Sequence, residues 1–552
     1  SNGKADMSGL SRQSVTRECE KLYCEKKIDV NLTLSTIVSA LTNYCKTNVK
    51  LISISHDIWS SVQGKSFMGV TIHAMDITQI PWKIETLTLA CVHHPSPHDA
   101  ERNLAKIEQV LSDWGIPLEM LMCSTQDTTG NSINVFKKVK TTEIFPCCSH
   151  TSQLFVKHTS NDVPVISSTF DAMNTCATKL KGYPKRLQEL FRLCREVKIK
   201  ELAPRKICLP RWNTREQVAT RSIDLLPAYR VIQPEIVFDK PDIRRRWIDS
   251  LLIVESNVDI MNEFLPLMRT VAQWTQVLTS QQMVTISLVR LMIRRLRNEV
   301  ANLKRKANAY QRGSAFERTL SVKLQPLHAS AEKWIDHYYN DEYYNYGLLR
   351  VAEFLDPRTC NCIEDKDELD IVQDFLKLFV SKEASSVPRG KGGAQAVGLA
   401  AAIETKTNKS PLEKEIQLYS FLMVSKTESV CNAINPLEFW PGEGSSFPIL
   451  AGVAARVLPT PPTSASDEQL FSVGGRIVTS ARSRLNAHHV NELCCLHQWL
   501  LKYDDDMISR EATRKADKTA KTDKRFAYLN LRLEINDPEI IESDEDEDDD
   551  DD

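Results

Sequence analysis

The sequence predicts an α/β unit that passes into a long all-helical region, and three observations lead there. Three β-rich runs follow one another within Leu51–Val92. Leu118–Cys123 is apolar on both faces, as a central strand covered on both sides must be. Beyond Thr151 the apolar spacing becomes helical and stays so to Leu501.

Taken in order, Ser11–Lys46 repeats Val15, Cys19, Leu22, then Leu34, Ile37, Val38 and Leu41 at helical spacing, which predicts two helices. Leu51–Trp59 alternates, with Ile52, Ile54 and Ile58 on one side and Ser53, Ser55, Asp57 and Trp59 on the other. Phe67–Met75 and Ile84–Val92 read as the next two strands of a meander. His98–Trp114 is amphipathic through Leu104, Ile107, Val110 and Leu111. A helix is expected from near Asn131, and a fifth strand at Glu143–Pro146 precedes Cys147-Cys148-Ser149-His150. Alternation of this kind defines a compact α/β unit. Helices are then expected over Val163–Val197, Arg215–Tyr229, Val254–Leu278, Gln281–Lys306 and His489–Leu501. Leu355-Asp356-Pro357-Arg358 reads as a turn, Ser385–Ser410 as a mobile loop, and Asp504–Asp552 as a disordered tail.

At 552 residues, 42% hydrophobic and 26% charged, the chain has room for two to four units and an ordinary core. No apolar run reaches membrane-spanning length and no apolar leader opens the sequence, so no membrane partner is expected. Fifteen cysteines scattered through a chain of this length point to reduced thiols inside a cell. The net charge of −2 hides an asymmetry. Glu539–Asp552 holds eleven acidic residues and no Lys or Arg, leaving a basic excess of nine on the rest. A basic body with an acidic tail suits a polyanion partner; the tail either mimics DNA or aids solubility.

The functional reading centres on Pro459–Leu485. Pro461 and Pro462 stop any earlier helix, Thr463 to Ser466 offer caps, Asp467 and Glu468 fall in the first turn, and Gly474-Gly475 is expected to end the helix. Leu470, Phe471 and Val473 form its buried side and so set where Glu468 points. Asp57 near the end of the first strand and Asp127 just past the fourth meet at one sheet edge if those strands are neighbours. A late helix carrying Glu468 across that edge would complete three acids, and hard oxygen donors select Mg²⁺ or Mn²⁺. Turn hydrogen bonding is the alternative role for either Asp. Arg244, Arg245 and Arg246, the Arg290/Arg294/Arg297 face and Lys304–Lys306 are candidate phosphate contacts or solvated helix faces.

The ordered series HDIW (56–59), HDAERN (98–103), DTTGN (127–131), CCSH (147–150), RWN (211–213), LDPR (355–358) and SASDEQLFS (464–472) resembles the hAT superfamily of DNA transposases and their host-adopted BED-finger relatives. It spans Ser11 to about Leu501. The resemblance implies an RNase H-like core interrupted by a large helical insertion between the second Asp and the Glu, completed by an hAT C-terminal dimerisation region. It implies a metal-binding catalytic triad of Asp57, Asp127 and Glu468 with Mg²⁺ or Mn²⁺. Cys147 and His150 would lie at the site, with His150 near the scissile phosphate. Trp59 and Trp212, the latter beside Arg211, would hold a flipped base, and an exposed indole is a good stacking surface. The implied units are 1–48 (N-terminal helical, dimerisation or DNA binding), 49–155 (first part of the core), 156–445 (insertion), 446–503 (core completion and dimerisation) and 504–552 (acidic tail). DNA and a second copy of the chain are the implied partners, with Leu493, Leu496 and Trp499 as candidates for the apolar interface core, and the nucleus the implied location. Two departures stand out: Gln469 replaces the usual Arg after the glutamate, and Gln126 replaces a usual Thr. Two functions follow: a transposase that cuts and joins DNA ends, or a non-transposing DNA-binding regulator on the same fold.

Overall fold

A computed structural model of the chain describes residues 11–61, 64–95, 97–128, 135–136, 139, 142–207, 214–340, 344, 346–363, 366–379, 409–479 and 485–503. The expected helix near Asn131, the loop at Ser385–Ser410 (but for its last two residues) and the tail lie outside the described residues, as do Arg211 and Trp212.

The first helix, Arg12–Cys45, is continuous where two were expected. No Gly or Pro interrupts it, and its polar middle turns its side chains inward along the helix. Thr33 and Thr36 hydroxyls donate to the carbonyls of Asp29 and Leu32 at 3.0 and 2.8 Å, which satisfies them without breaking the helix. Five strands follow: β1 (Ile52–Ser60), β2 (Ser66–Asp76), β3 (Lys83–His93), β4 (Leu121–Gln126) and β5 (Glu143–Pro146). They form one mixed sheet in the order β3-β2-β1-β4-β5. β1, β2 and β3 run as an antiparallel meander, whereas β4 pairs parallel to β1 and β5 parallel to β4. A parallel partner requires a crossover, and Ala100–Ser112 supplies it between β3 and β4. Asp99 caps that helix by accepting from the Arg102 amide, and Ile107, Val110 and Leu111 face the core. β4 is buried along its whole length between β1 and β5, as its two-sided apolar pattern predicts.

After β5 the described chain is helical. Cys148–Asn161, Pro164–Lys181, Pro241–Leu278, Val289–Tyr310 and Ala315–Tyr338 pack on one another through Phe155, Phe170, Phe264, Met268, Leu296 and Leu324. Gln281–Leu288, expected as helix, is mostly irregular, and the helix begins at Val289. Pro448–Val457 is apolar and buried throughout. Ala465–Ile477 and Ala487–Tyr503 then return to the sheet, where Leu470, Phe471, Val490 and Cys494 pack with Phe67 and Cys91. Trp499 is 1% exposed, donates from Nε1 to the Thr88 carbonyl at 2.9 Å and stacks on Tyr23 at 5.2 Å. Leu496 is buried as well. Both therefore belong to the interior of one chain, correcting their expected place in an intermolecular core. Apolar side chains bury wherever they find partners first, and here the first helix and β3 provide them. No helix among the described residues is long and apolar enough to cross a membrane.

Candidate active site

Strand pairing puts the two aspartates side by side. His56 on β1 is level with Gln126 on β4, so Asp57 and Asp127 are the next residues of two adjacent parallel strands. On its other side Asp57 pairs with Gly69 of β2. A Cβ at position 69 would stand 3.1 Å from the Phe471 ring and 3.3 Å from Asp467 Oδ1, so glycine admits the helix that carries Glu468.

That helix is zipped onto the sheet by the polar face of β1. Ser53 Oγ meets Thr460 Oγ1 at 3.0 Å, Ser55 Oγ meets Ser466 Oγ at 2.9 Å, and Thr125 Oγ1 donates to the Pro461 carbonyl at 2.5 Å. Thr71 Oγ1 donates to Asp467 Oδ1 at 2.8 Å. The serines that alternation placed on an outer face are thus fully buried, because Pro459–Asp467 covers them. Ser464 does not cap the helix with its side chain. Its amide and hydroxyl both lie 3.4 Å from Cys147 Sγ, and Cys147 in turn donates its amide to the Gln126 carbonyl. Burial pushes the Cys147 thiol up to about 12, so it serves as a neutral hydrogen-bonding plug beside the site.

Gly474 and Gly475 do not end the helix, which continues to Ile477. A Cβ on Gly474 would lie 3.2 Å from the Trp59 ring. The pair lets the helix pass close to that indole, which also stacks on Phe67 at 5.7 Å and Phe471 at 6.1 Å. Trp59 is therefore half-buried and engaged, not the exposed stacking surface expected of it.

Asp57, Asp127 and Glu468 are each half-buried. Burial and then the negative charge of Asp127 push the Asp57 carboxyl up to about 8. Burial followed by the charges of Asp57, Asp467 and Asp127 pushes Glu468 up to about 9. Asp467, fully buried with its Oδ2 unpartnered, is pushed up to about 6 by burial. Carboxylates raise one another in this way only when they share a neighbourhood. Among the described residues no Lys or Arg pairs with Asp57, Asp127 or Glu468; the one ionisable partner is His150, whose Nδ1 lies 3.0 Å from Asp127 Oδ1. The ligand oxygens of the three acids are spread wider than 4.8 Å, so one ion would reach all of them only after side-chain movement. A set of oxygen donors with unbalanced negative charge fits a hard divalent ion.

Sequence reasoning missed Asp467, read as a dipole complement, and the hydroxyls that hold the helix. The run of Ser and Thr before Asp467 is the signal that pointed to them. The arginine assignments divide. Arg290 is 8% exposed and pairs with Glu353 and Glu368, while Arg294 pairs with the same Glu353. Arg297 bonds Asp336 at 2.9 Å and the Tyr339 carbonyl at 3.1 Å. All three tie helices together; Arg290 is buried between two carboxylates and is no phosphate contact, while Arg294 and Arg297 keep part of their guanidinium surface exposed. Arg244 reaches the Phe238 carbonyl at 3.3 Å. Arg245 and Arg246 stay exposed on Pro241–Leu278.

Comparison with known proteins matches two separate stretches of the chain. Residues 55–145, from β1 through β5, match the family model of the ZBED1 RNase-like domain. Residues 416–500, which include Glu468, match that of the hAT family C-terminal dimerisation region. A putative AC transposase of Zea mays is 20% identical over 500 residues, covering 81% of this chain and 56% of that protein. A putative transcriptional regulator, tpeD, of Talaromyces stipitatus is 20% identical over 483 residues, covering 80% and 53%. Zinc finger BED domain-containing protein 4 of Homo sapiens is 22% identical over 366 residues, covering 63% and 28%. The chain spans about half the length of the maize and Talaromyces relatives.

Proposed function

Because the chain is an hAT-family transposase or a protein derived from one, we propose that it cleaves and rejoins DNA ends at a divalent-metal site formed by Asp57, Asp127 and Glu468. The observation that carries this reading is the group of acids raising one another's proton affinity with no Lys or Arg beside them. The sheet order, an antiparallel meander with two parallel strands added beyond β1, supports an RNase H-like core. The helical stretch between β5 and the Glu468 helix takes the part of the insertion.

Mg²⁺ or Mn²⁺ held by the three carboxylates would activate a water or 3′ hydroxyl and stabilise the leaving oxygen. The protein's own groups arrange the rest. Asp127 holds His150 through Nδ1, which keeps the proton there and leaves Nε2 as the acceptor end of the ring beside the phosphate. Asp467, anchored by Thr71, and the Trp59–Phe471–Gly474 packing fix the helix from which Glu468 projects. Arg245 and Arg246 give an exposed basic turn for phosphate backbone. The chain works in the nucleus and self-associates through the region at 416–500, where Phe421, Val424 and Val430 are the exposed apolar side chains.

The second reading, a DNA-binding regulator that no longer transposes, is favoured by residue 469. Gln469 is neutral, and its Oε1 accepts from Gln281 Nε2 at 3.1 Å instead of presenting a cation beside Glu468. One assay separates the two. Labelled transposon-end or hairpin DNA is incubated with the protein and Mg²⁺ or Mn²⁺, beside Asp127→Ala. Nicking or strand joining that disappears in the variant is expected; tight binding with no metal-dependent product in either protein overturns the enzyme and leaves the regulator.

A further inference from the structure

A second group of donors lies away from the acid site, between the first helix and the Ala487–Tyr503 helix. Glu20, His489 and Glu492 each offer a ligand atom within 4.8 Å of the others. His489 Nδ1 lies 2.8 Å from Glu492 Oε2 and 3.8 Å from Glu20 Oε1. His488 Nε2 is 3.1 Å from the other Glu492 oxygen, Oε1. Glu492 is 5% exposed, and among the described residues no Lys or Arg pairs with it; its partners are the two imidazoles.

We propose that Glu20, His489 and Glu492 form a zinc site that staples the first helix to the Ala487–Tyr503 helix. One imidazole nitrogen and two carboxylate oxygens make a three-donor set, at about 2.0–2.2 Å each, that leaves the fourth tetrahedral position of Zn²⁺ to water. Ligand atoms on such an ion stand roughly 3.3 Å apart, and the observed 2.8 and 3.8 Å from His489 Nδ1 to the two carboxylates bracket that value. Two carboxylates offset the charge of one Zn²⁺, which balances the otherwise uncompensated Glu492. The helices are held in register independently of the ion. Tyr23, one turn from Glu20, stacks on Trp499, and its hydroxyl accepts from Asn491 Nδ2 at 3.4 Å. The donors thus converge on a packed frame, and the ion would lock the first helix onto the segment that matches the dimerisation region. This inference does not depend on any activity at the acid site.

The test uses the full chain, stripped with chelator and then titrated with Zn²⁺ alone. Asp57→Asn/Glu468→Gln serves as the parent, so that the acid site contributes nothing. One zinc per chain is expected to survive desalting and to raise Tm by several degrees. Glu20→Gln/His489→Ala changes the two less buried ligands and is expected to weaken zinc roughly 10- to 100-fold or more. Cobalt substituted for zinc should give tetrahedral ligand-field bands without thiolate charge transfer, which separates this site from the cysteines. Equal zinc affinity in variant and parent, a thiolate signature, or no retained zinc would each show that these side chains form only a hydrogen-bonded His–Glu cluster.

Discussion

Two buried clusters of charge in this chain are built on opposite terms. Around Glu353, which is fully buried, Arg290 and Arg294 supply cations, and Glu368 takes the other end of Arg290. Every charge there has a partner from the same chain. Around Asp57, Asp127 and Glu468 carboxylates face one another, and among the described residues His150 is the one basic side chain paired with them. Both clusters would look alike in a list of buried ionisable residues. The first is closed and serves to hold helices; the second is left open, and it is the cluster proposed to take a metal ion.

Replacing an acid of the open cluster should have the largest effect, and on activity alone. Asp57→Asn or Asp127→Ala removes several kcal/mol of transition-state stabilisation, so metal-dependent cleavage should fall by roughly 10³-fold or more. Thermal stability of the metal-free variant should stay level or rise, because a repulsion has been relieved. A variant that unfolds while the parent does not would put Asp57 among the structural residues.

The closed cluster should respond the other way. Glu353→Ala strands Arg290 in the interior and should cost about 3–5 kcal/mol of stability. Denaturant unfolding measures this, and an unchanged midpoint would show that the pairing contributes little.

A smaller effect distinguishes the clusters by pH. In the metal-free chain Asp57 and Glu468 hold their protons up to about 8 and about 9, against about 4 when unfolded. The folded state therefore binds more protons across that window, and stability should decline as pH rises from about 4 towards 8 or 9. Saturating Mg²⁺ or Glu468→Gln should flatten the decline; a Tm that climbs through this range would contradict the electrostatics of the site.

The smallest effect is expected at the exposed arginines. Arg245→Ala/Arg246→Ala should weaken DNA binding evenly across sequences and lower the salt slope of log K by roughly 2. A slope that does not move would remove this turn from the DNA surface.

Much of this was legible beforehand, and particular residues show why. The strands around Leu51–Val92 follow from alternation and β-branched content, and β4 from apolar residues on both faces, which are local properties. The partnership of Asp57 with Glu468 could be raised from strand ends and a late helix, but only the resemblance to a family favoured it, since no local pattern links positions so far apart. The glycines at 474 and 475 misled for a related reason. Glycine marks a helix end when its backbone freedom is used, but here its lack of a side chain is used, to admit Trp59. Arg290, Arg294 and Arg297 form one basic stripe in the sequence, and nothing local reveals that Glu353, Glu368 and Asp336 are waiting for them.

Periodicity, caps and turn residues were enough to determine the order of strands and helices, because each depends on neighbours a few positions away. Which acids stay unbalanced, which arginines are spent on internal pairs and which indole is covered were decided only when distant segments met. Charge compensation and burial are properties of a neighbourhood in space, and the chain acquires that neighbourhood by folding.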